Sequence, residues 1–443
     1  MRTHAQPRVV RRSRLALAAL CVLACVSGTV PAHAAKKQAA AEIPSPKSAA
    51  AEPAPQKVAE PAAASRADEP MPVPNLDPAE QALWQRLCFR VEDAFDSTRG
   101  GFVTKHGILD ESAVDVGFLL GPRDRNERWN GYAVYTTQWM LGLEDSIGGG
   151  FFARREVVPG GGQFERPTLI NARRLENLID AWERTNDTRY WVSAVRLLEF
   201  AERNVVDGRG GFTSNPVGDQ DLIPQVNGVA IRAWLKWWAA GRDPKRRDFA
   251  LRSIDRLWQS AWSDSAGFLR ANSFGEPLAW PQLSDQTEMG RALVMSAQLA
   301  GRRGDLDRAR KVADLMLANF ADDRGTFRSE AVGRPGRFRR NPGRVPRENA
   351  RAALFLCELA HVARAPKYYE AGRRVWRAYA KDLEKTKLEA ADWVLAMDAA
   401  ISPVFPRRPL ETAKPADKAK SPRTNGKTRM RSPETKIGAS GQR

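Results

Sequence analysis

A glycine-glycine-phenylalanine turn recurs along the chain at intervals of about 50 to 60 residues. The copies are Gly100-Gly101-Phe102, Gly149-Gly150-Phe151 and Gly210-Gly211-Phe212, with variants at Ala266-Gly267-Phe268 and Gly325-Thr326-Phe327. Glycine permits the positive φ of a sharp reversal, and the phenylalanine can anchor the turn on a core. The interval matches a helical hairpin with its loops and exceeds that of a short solenoid repeat. The repeat therefore predicts an all-α fold of helical hairpins.

A polar residue beside a small one follows each turn, near the start of a predicted helix. The pairs are Asn130-Gly131, Asn171-Ala172, Asn227-Gly228 and Asn349-Ala350, with Glu288-Met289-Gly290 as a variant and Glu389-Ala390 as a sixth. Small residues let helices approach closely, as an inner ring requires. We predict an (α/α)6 toroid over residues 77–406, with these polar side chains facing the enclosed space. The alternative is an open superhelix of helical pairs.

The connections between predicted helices are of two kinds. Short polar turns such as Asn186-Asp187 join a first helix to its partner, whereas the phenylalanine turns belong to much longer loops. Long loops gathered on one face of a rigid scaffold usually carry function. We therefore expect the functional face at the long loops.

Both ends of the chain have the composition of segments outside a folded domain. Residues 1–34 resemble a secretory signal, with arginines before an apolar run and Ala32-His33-Ala34 as a cleavage site, which predicts periplasmic export. The alternative is a lipoprotein anchored at Cys25. Residues 35–76 form a predicted disordered linker, and residues 407–443 a predicted disordered basic tail. No other run reaches the about 18 apolar residues of a membrane span.

Charge and cysteine content exclude several classes of function. The net charge of +18 comes mostly from the signal and the tail, so it does not indicate nucleic-acid binding. Cys88 and Cys357 follow the signal, and they form either a disulfide or two buried thiols in helices. His106 and His361 show no ligand spacing, so the sequence predicts no metal site and no cofactor.

One segment resembles a known family. Ile147-Gly148-Gly149-Gly150-Phe151, followed by Gln163-Phe164-Glu165-Arg166 and Asn171-Ala172, is similar to the distinctive motif of thioredoxin-domain-containing proteins that carry a six-hairpin glycosidase-like toroid. Residues 390–398 are similar to the last helix of that family. The resemblance covers about residues 80 to 405 and implies the toroid fold. Gln163 and Ile170 replace the histidine and aspartate of the motif. The chain has no thioredoxin domain and no Cys-x-x-Cys, so thiol-disulfide oxidoreduction is disfavoured.

Toroids of this kind include glycosidases, polysaccharide lyases and sugar epimerases. Epimerases of the N-acylglucosamine type use histidine bases, and with His106 and His361 alone after the signal an epimerase is disfavoured. A hydrolase needs two carboxyl groups beside the bond that it cuts. The candidates on the long-loop face are Asp115, Glu165, Asp285 and Glu288.

The sequence predicts different roles for these carboxyl groups. Glu165 is the best acid/base candidate, and its structural alternative is an ion pair with Arg166 or Arg173. Asp285 and Glu288 are catalytic candidates that also fit a capping pair, with aspartate at the N-cap and glutamate three residues later.

The predicted ligand is a carbohydrate or another polar polymer. Asn130, Asn171, Asn227, Glu288 and Asn349 would ring the pocket. Trp129 and Trp280 could offer aromatic faces to sugar rings. Arg347, in the arginine-rich loop 333–348, could hold an acidic glycan.

We therefore predict an exported carbohydrate-processing or carbohydrate-binding toroid. The alternative is a non-catalytic scaffold or binding protein with a degenerate active site, as Gln163 and Ile170 indicate.

Overall fold

The computed structural model describes residues 75–154, 165–217, 221–270, 281–331, 343–403 and 405–406. In these ranges the chain is helical apart from its loops and one short antiparallel hairpin. The helices are α1 (Pro78–Asp93), α2 (Glu111–Arg123), α3 (Glu127–Leu141), α4 (Thr168–Thr185), α5 (Thr188–Asn204), α6 (Pro224–Gly241), α7 (Pro244–Ser260), α8 (Leu283–Ala300), α9 (Arg303–Asn319), α10 (Pro346–Ala363), α11 (Pro366–Tyr379) and α12 (Ala390–Ile401). The hairpin pairs β1 (Trp262–Ser263) with β2 (Gly267–Phe268), and a 3-10 turn spans Asp382–Lys385.

The even-numbered helices form a closed inner ring. Each packs on the next from α2 to α12, and α12 packs back on α2. The odd-numbered helices lie outside: α1 packs on α12, and α3, α5, α7, α9 and α11 each pack on the inner helix before them. Closure of the ring excludes the open superhelix, and the predicted (α/α)6 toroid is confirmed. None of the described helices is long and apolar enough to cross a membrane.

Inner and outer helices differ in how they are buried. Inner helix α10 buries residues on all sides, including the polar Asn349 and Glu358. Outer helix α11 buries one stripe, with Tyr368, Val375 and Trp376 on it. A helix that is buried all round sits between two layers, whereas an amphipathic helix covers one. The inner helices therefore carry charged residues such as Glu358 into the interior of the ring.

The glycine-phenylalanine turns are tied to the inner helices by side-chain amides. Gly210 and Gly211 have φ of +110° and +102°, which brings Phe212 into the core. Asn227, the fourth residue of α6, accepts a hydrogen bond from the Phe212 N–H at 2.7 Å and donates to the Phe212 carbonyl at 2.9 Å. The same amide clamp joins Phe151 to Asn171, Phe268 to Gln286 and Phe327 to Asn349. Each clamp joins the start of a long loop to the helix that follows it.

One inner helix was predicted in the wrong place. The first inner helix is α2, and Asn130 lies on outer helix α3. A polar residue beside a glycine indicates a close helix contact, but it does not indicate which ring contains the helix. Here α2 supplies the small residues: a Cβ on Gly117 would lie 2.7 Å from that of Ala133, and one on Gly121 would lie 2.3 Å from the Asn130 amide oxygen.

The two cysteines are not bonded to each other. Cys88 lies half-buried on α1 and Cys357 is buried on α10. Burial raises the pKa of the Cys88 thiol to about 12 and that of Cys357 above its usual value. The interpretation as two buried thiols in helices is confirmed.

The two Asn-Gly pairs give a matched test of the ring assignment. A Cβ on Gly228 of α6 would lie 2.4 Å from the backbone of Glu288 on α8, whereas nothing lies within 4 Å of one on Gly131. We expect Gly228→Ala to lower the free energy of unfolding by about 1 to 3 kcal/mol through overpacking. The control Gly131→Ala should raise it by about 0.5 to 1 kcal/mol, because alanine is favoured in a helix. Urea unfolding measures both, and a fully stable Gly228→Ala protein would contradict the close contact of α6 and α8.

Candidate functional site

A cavity of ≈ 340 Å³ opens on the ring axis where the inner helices begin. Five of the six inner helices contribute to its lining, which mixes apolar residues such as Leu169 and Ile170 with charged ones. The charged lining residues are Glu111, Arg173, Glu288, Arg347, Glu348 and Arg351. We call this cavity the well. It lies on the long-loop side of the toroid, where the loop lengths predict a functional face.

The exposure of the lining residues falls along the well. Val345 is 42% exposed, and the side chains of Arg347, Arg351 and Glu288 are 37%, 15% and 1% exposed. Val345 and Arg347 therefore form the rim, Arg351 belongs to the wall, and Glu288 forms the floor. The well ends at Glu288.

Three arginines bind the carboxylate at the floor. Glu288 Oε1 accepts from Arg173 Nη2 and from Arg351 Nη1, each at 3.0 Å, and Oε2 accepts from Arg232 Nη1 at 2.5 Å. Arg291 lies 3.9 Å from Oε2. Both oxygens of this buried carboxylate are therefore occupied by arginine donors.

The charged network continues below the floor. Arg232 also contacts Glu176 at 3.4 Å, and Arg291 forms two hydrogen bonds of 2.9 and 2.8 Å with Glu358. These pairs compensate the arginines that do not line the well. These pairs continue the charged network along the ring axis and fill the space below the floor.

Buried polar groups fill the axis further from the well. Lys236 donates to Asp180 at 2.6 Å, and Asn177 donates to Asp115 at 2.6 Å. Burial, with the negative charge of Asp180, raises the pKa of Asp115 well above its ordinary value. Asp115 therefore lies beneath the well, away from its lining. In the described ranges, no group of histidine, cysteine, aspartate or glutamate side chains could hold a metal ion.

Arg347 at the rim is shared between two aspartates. Its Nε lies 2.6 Å from Asp392 of α12 and its Nη2 lies 3.1 Å from Asp110, which caps α2. Arg351 and Ser112 also bind Asp392, at 3.1 and 2.8 Å. Burial raises the pKa of Asp110 to about 6, with the neighbouring Asp392 acting in the same direction. Burial opposes the charge of Asp392, but Arg351 and Arg347 outweigh it and hold the pKa of Asp392 below its usual value.

Two carboxyl groups of the wall are not surrounded by arginines. Glu111 has one ion pair, with Arg174 at 3.4 Å, and burial raises the pKa of Glu348. Within the described part of the chain, Glu111 Oε1 and Glu348 Oε2 are buried without a hydrogen-bond partner. Burial disfavours the charged form of Glu348, whereas Glu111 has a cationic partner, and acid/base chemistry uses carboxyl groups in such different environments.

The ends of four inner helices also point at the well. In the residues described, the N-cap side chain of α4, α6, α8 and α10 accepts no hydrogen bond from its helix, although Asp285 accepts from the second N–H of α6. The second residue of each of these helices lines the well: Leu169, Gln225, Ser284 and Arg347. Helix N-termini carry partial positive charge, so four of them around one cavity favour an anionic or hydroxyl-rich ligand.

In the structure, the asparagines that were predicted to bind ligand do not line the well. Asn171, Asn227 and Asn349 use their amides to clamp the turns, and none of them lines the well. Asn130 lies on α3, outside the inner ring. Trp129 is buried on the same outer helix, against Tyr132, and is not at the mouth. Trp280 lies outside the described residues.

The structure places the predicted catalytic carboxyl groups in different parts of the protein. Glu165 is exposed and does not line the well, while Arg166 pairs with Asp145 at 2.7 Å and Arg173 pairs with Glu288. The ion pair predicted for Glu165 with either arginine is therefore wrong. Among the predicted residues, Glu288 and Arg347 line the well.

Asp285 has a structural role, although not the predicted one. Helix α8 begins at Leu283 after Gln282, so Asp285 is its third residue and the predicted capping pair is wrong. Its carboxylate accepts from the Gln225 N–H at 3.0 Å and binds Arg270 at 2.8 Å. It therefore joins the starts of α6 and α8.

Several residues of the well are absent from the sequence-based prediction. These are Glu111, Arg173, Glu348 and Arg351, together with Asp392 behind the wall. The available signal is a charged residue on a helix that is otherwise apolar on all sides, as with Arg351 among the alanines and leucines of α10. Such a residue must face a polar interior.

Comparisons with known proteins identify the fold. No protein-family model and no curated protein matches the sequence. Among solved structures, a sugar epimerase from a ruminal bacterium is similar with a TM-score of 0.58 at 13% identity, over 68% of this chain and 86% of that chain. A D-mannose isomerase gives a TM-score of 0.59 at 15% identity, over 72% and 95% of the two chains. A family 105 glycoside hydrolase from C. acetobutylicum ATCC 824 gives 0.56 at 7% identity, over 72% and 98%. These likenesses establish the toroid fold.

Removing the charge at the floor tests whether Glu288 is structural. We expect Glu288→Gln to lower the free energy of unfolding by about 3 to 5 kcal/mol, because three arginines would lose their shared anion. The control Glu348→Gln removes a carboxylate of the same well that has no arginine within ion-pair distance in the described ranges, and it should cost less than about 1 kcal/mol. Urea unfolding measures both values. Equal values would show that the arginine cluster does not depend on Glu288.

Asp110 predicts a dependence of stability on pH. Its pKa is about 6 in the folded chain against an ordinary value of 3.8, so the folded state holds the proton more tightly than the unfolded state. The resulting stabilisation is complete below a pH of about 4 and is lost as the pH rises through about 6. Asp110→Asn keeps an acceptor for the Ala113 N–H. Its free energy of unfolding, relative to that of the wild type, should increase as the pH rises from about 4 to about 7. Urea unfolding across this range measures the difference, and a constant difference would contradict the titration of Asp110.

Proposed function

We propose that the protein acts on carbohydrate and that the well binds sugar units that carry acidic groups. The similar solved structures, a sugar epimerase, a D-mannose isomerase and a glycoside hydrolase, support carbohydrate as the ligand class. The observation that carries the acidic ligand is the set of three arginines in the lining, Arg173, Arg347 and Arg351.

The donors needed by an anionic sugar remain available on these arginines. A guanidinium group has five N–H donors, and Arg173 uses Nη2 on Glu288. Arg347 reaches the rim, where more than a third of its side chain is exposed. Leu169 and Ile170 add apolar surface that suits the C–H faces of a sugar ring. The helix N-termini around the well strengthen the preference for a carboxylate or sulfate group.

For the reaction we propose glycosidic hydrolysis at Glu348 and Glu111. Glu348, with its raised pKa, would donate a proton to the leaving oxygen, and Glu111, paired with Arg174, would accept one from the attacking water. The second candidate is a binding protein without catalysis. It is favoured by Glu288, because the most central carboxylate of the well is fully committed to arginines.

We also propose that the chain is exported, with residues 1–34 as signal, 77–406 as the toroid domain, and the segments 35–76 and 407–443 as disordered linker and tail. The motif around Glu165 supports a relationship to the thioredoxin-domain-containing family. The mass of the mature protein distinguishes cleavage after Ala34 from a lipid anchor at Cys25.

Arg347 gives the test of the ligand class. Calorimetry would compare galacturonate, glucuronate and mannuronate with the corresponding neutral hexoses. We expect Arg347→Met to weaken binding of the acidic sugar by at least about tenfold, the value of one or two charge-assisted hydrogen bonds, and to leave the neutral sugar unaffected. The control Arg374→Met changes an exposed arginine of α11, outside the well. Equal affinity of wild type and Arg347→Met for the acidic sugar would contradict the proposal.

Glu348→Gln then distinguishes hydrolysis from binding. With reducing-end-labelled uronate oligosaccharides, the hydrolase proposal requires that this variant binds as the wild type does and releases no product. Turnover by the variant at the wild-type rate would exclude Glu348 as the acid. Binding without turnover by the wild type would favour the binding protein.

A further inference from the structure

We propose that the well receives the end of an acidic chain and cannot bind its interior. This inference rests on the proposed function and adds the part of the polymer that the site takes. It follows from the walls, the floor and the size of the cavity.

The walls surround the axis. Residues of α2, α4, α6, α8 and α10 line the well, and α12 closes the remaining side through Asp392, which binds both Arg347 and Arg351. A chain bound by an interior unit must enter a site and leave it again. In the ranges that the structure describes, a well enclosed by all six inner helices opens at the rim alone.

The floor closes the other end. Glu288 is held by Arg173, Arg232 and Arg351, which come from α4, α6 and α10. Behind it, Arg232 and Arg291 are held by Glu176 and Glu358. A polymer could pass along the axis only by separating several buried ion pairs, each of which is costly to break. The ring is therefore closed to a threading chain.

The volume agrees with an end site. At ≈ 340 Å³ the well lies near the lower limit of about 300 Å³ for small-molecule pockets, which is enough for about one or two sugar units. The remaining units of a bound chain would continue past Val345 and Arg347 at the rim. Arg173 and Arg351 lie deeper than Arg347, so they contact the acidic group of the terminal unit, which enters furthest.

The stoichiometry of binding tests the inference. We would titrate the protein with galacturonate, mannuronate and glucuronate oligomers of four and of sixteen units, and measure protein bound per chain by calorimetry. An end site binds one protein per chain at both lengths. Several proteins on each sixteen-unit chain would overturn the inference and leave the proposed ligand class intact. No binding of any acidic monomer or oligomer would overturn both.

A variant that fills the well gives an independent test. Ile170 lines the well and is half-buried, so Ile170→Trp should occupy part of the cavity and weaken binding of monomer and of both chain lengths by at least tenfold. The matched control Val192→Trp alters an exposed residue of outer helix α5 and should bind as the wild type does. Thermal unfolding checks that both variants are folded. If Ile170→Trp lost the monomer but bound the sixteen-unit chain unchanged, the chain would lie outside the well and the inference would be wrong.

Discussion

Pairing between arginine and carboxylate groups inside the ring is the interaction on which the rest of the structure depends. Six helices that close on one another send side chains to a common axis, and in this chain many of those side chains are charged. Glu288 joins α4, α6, α8 and α10 through Arg173, Arg232 and Arg351. Apolar side chains of similar volume would stabilise the ring as well or better. Stability alone therefore does not account for this interior.

The same pairing determines which groups remain available for chemistry. Glu288 on the floor and Asp392 behind the wall each bind two or more arginines. Carboxyl groups nearer the loops, Glu111 and Glu348, have fewer partners in the described residues. The carboxyl groups with fewer partners thus lie on the wall of the well, and the saturated ones form its floor or lie behind the wall. In the proposed function, this gradient puts ligand binding and catalysis at the long-loop face without weakening the ring.

Local patterns predicted the architecture well and the site poorly. The glycine-phenylalanine turns connect helices as predicted, and the phenylalanine of each repeated turn is buried. These features depend on neighbours in sequence. The partners in the well do not: Arg173 and Glu288 are 115 residues apart, and Ser112 and Asp392 are 280 apart. No local pattern specifies such pairs.

The asparagines show a different limit of sequence reasoning. Asn171, Asn227 and Asn349 were predicted near the starts of inner helices, which is where they lie. Their amides nevertheless turn to the backbone of the preceding phenylalanine, because a buried turn leaves an N–H and a carbonyl that must be satisfied. A side-chain amide has both a donor and an acceptor, so it can bond to both of these backbone groups. A polar side chain beside a cavity can therefore form its hydrogen bonds with the neighbouring loop. The prediction of ligand contact did not take these bonds into account.

The amide clamps also make the structure of the ring independent of the length and sequence of its loops. In each of four hairpins the clamp ties the residue at which a long loop begins to the helix at which it ends, as with Phe327 and Asn349. Both ends of the loop are thereby fixed on the ring, whatever lies between them. The entropy of closing a loop increases only slowly with its length, so segments of very different length and sequence can be accommodated at the same two points. The ring can thus keep its interior while its loops diverge, and four attachment points are available for exchanging loops by design.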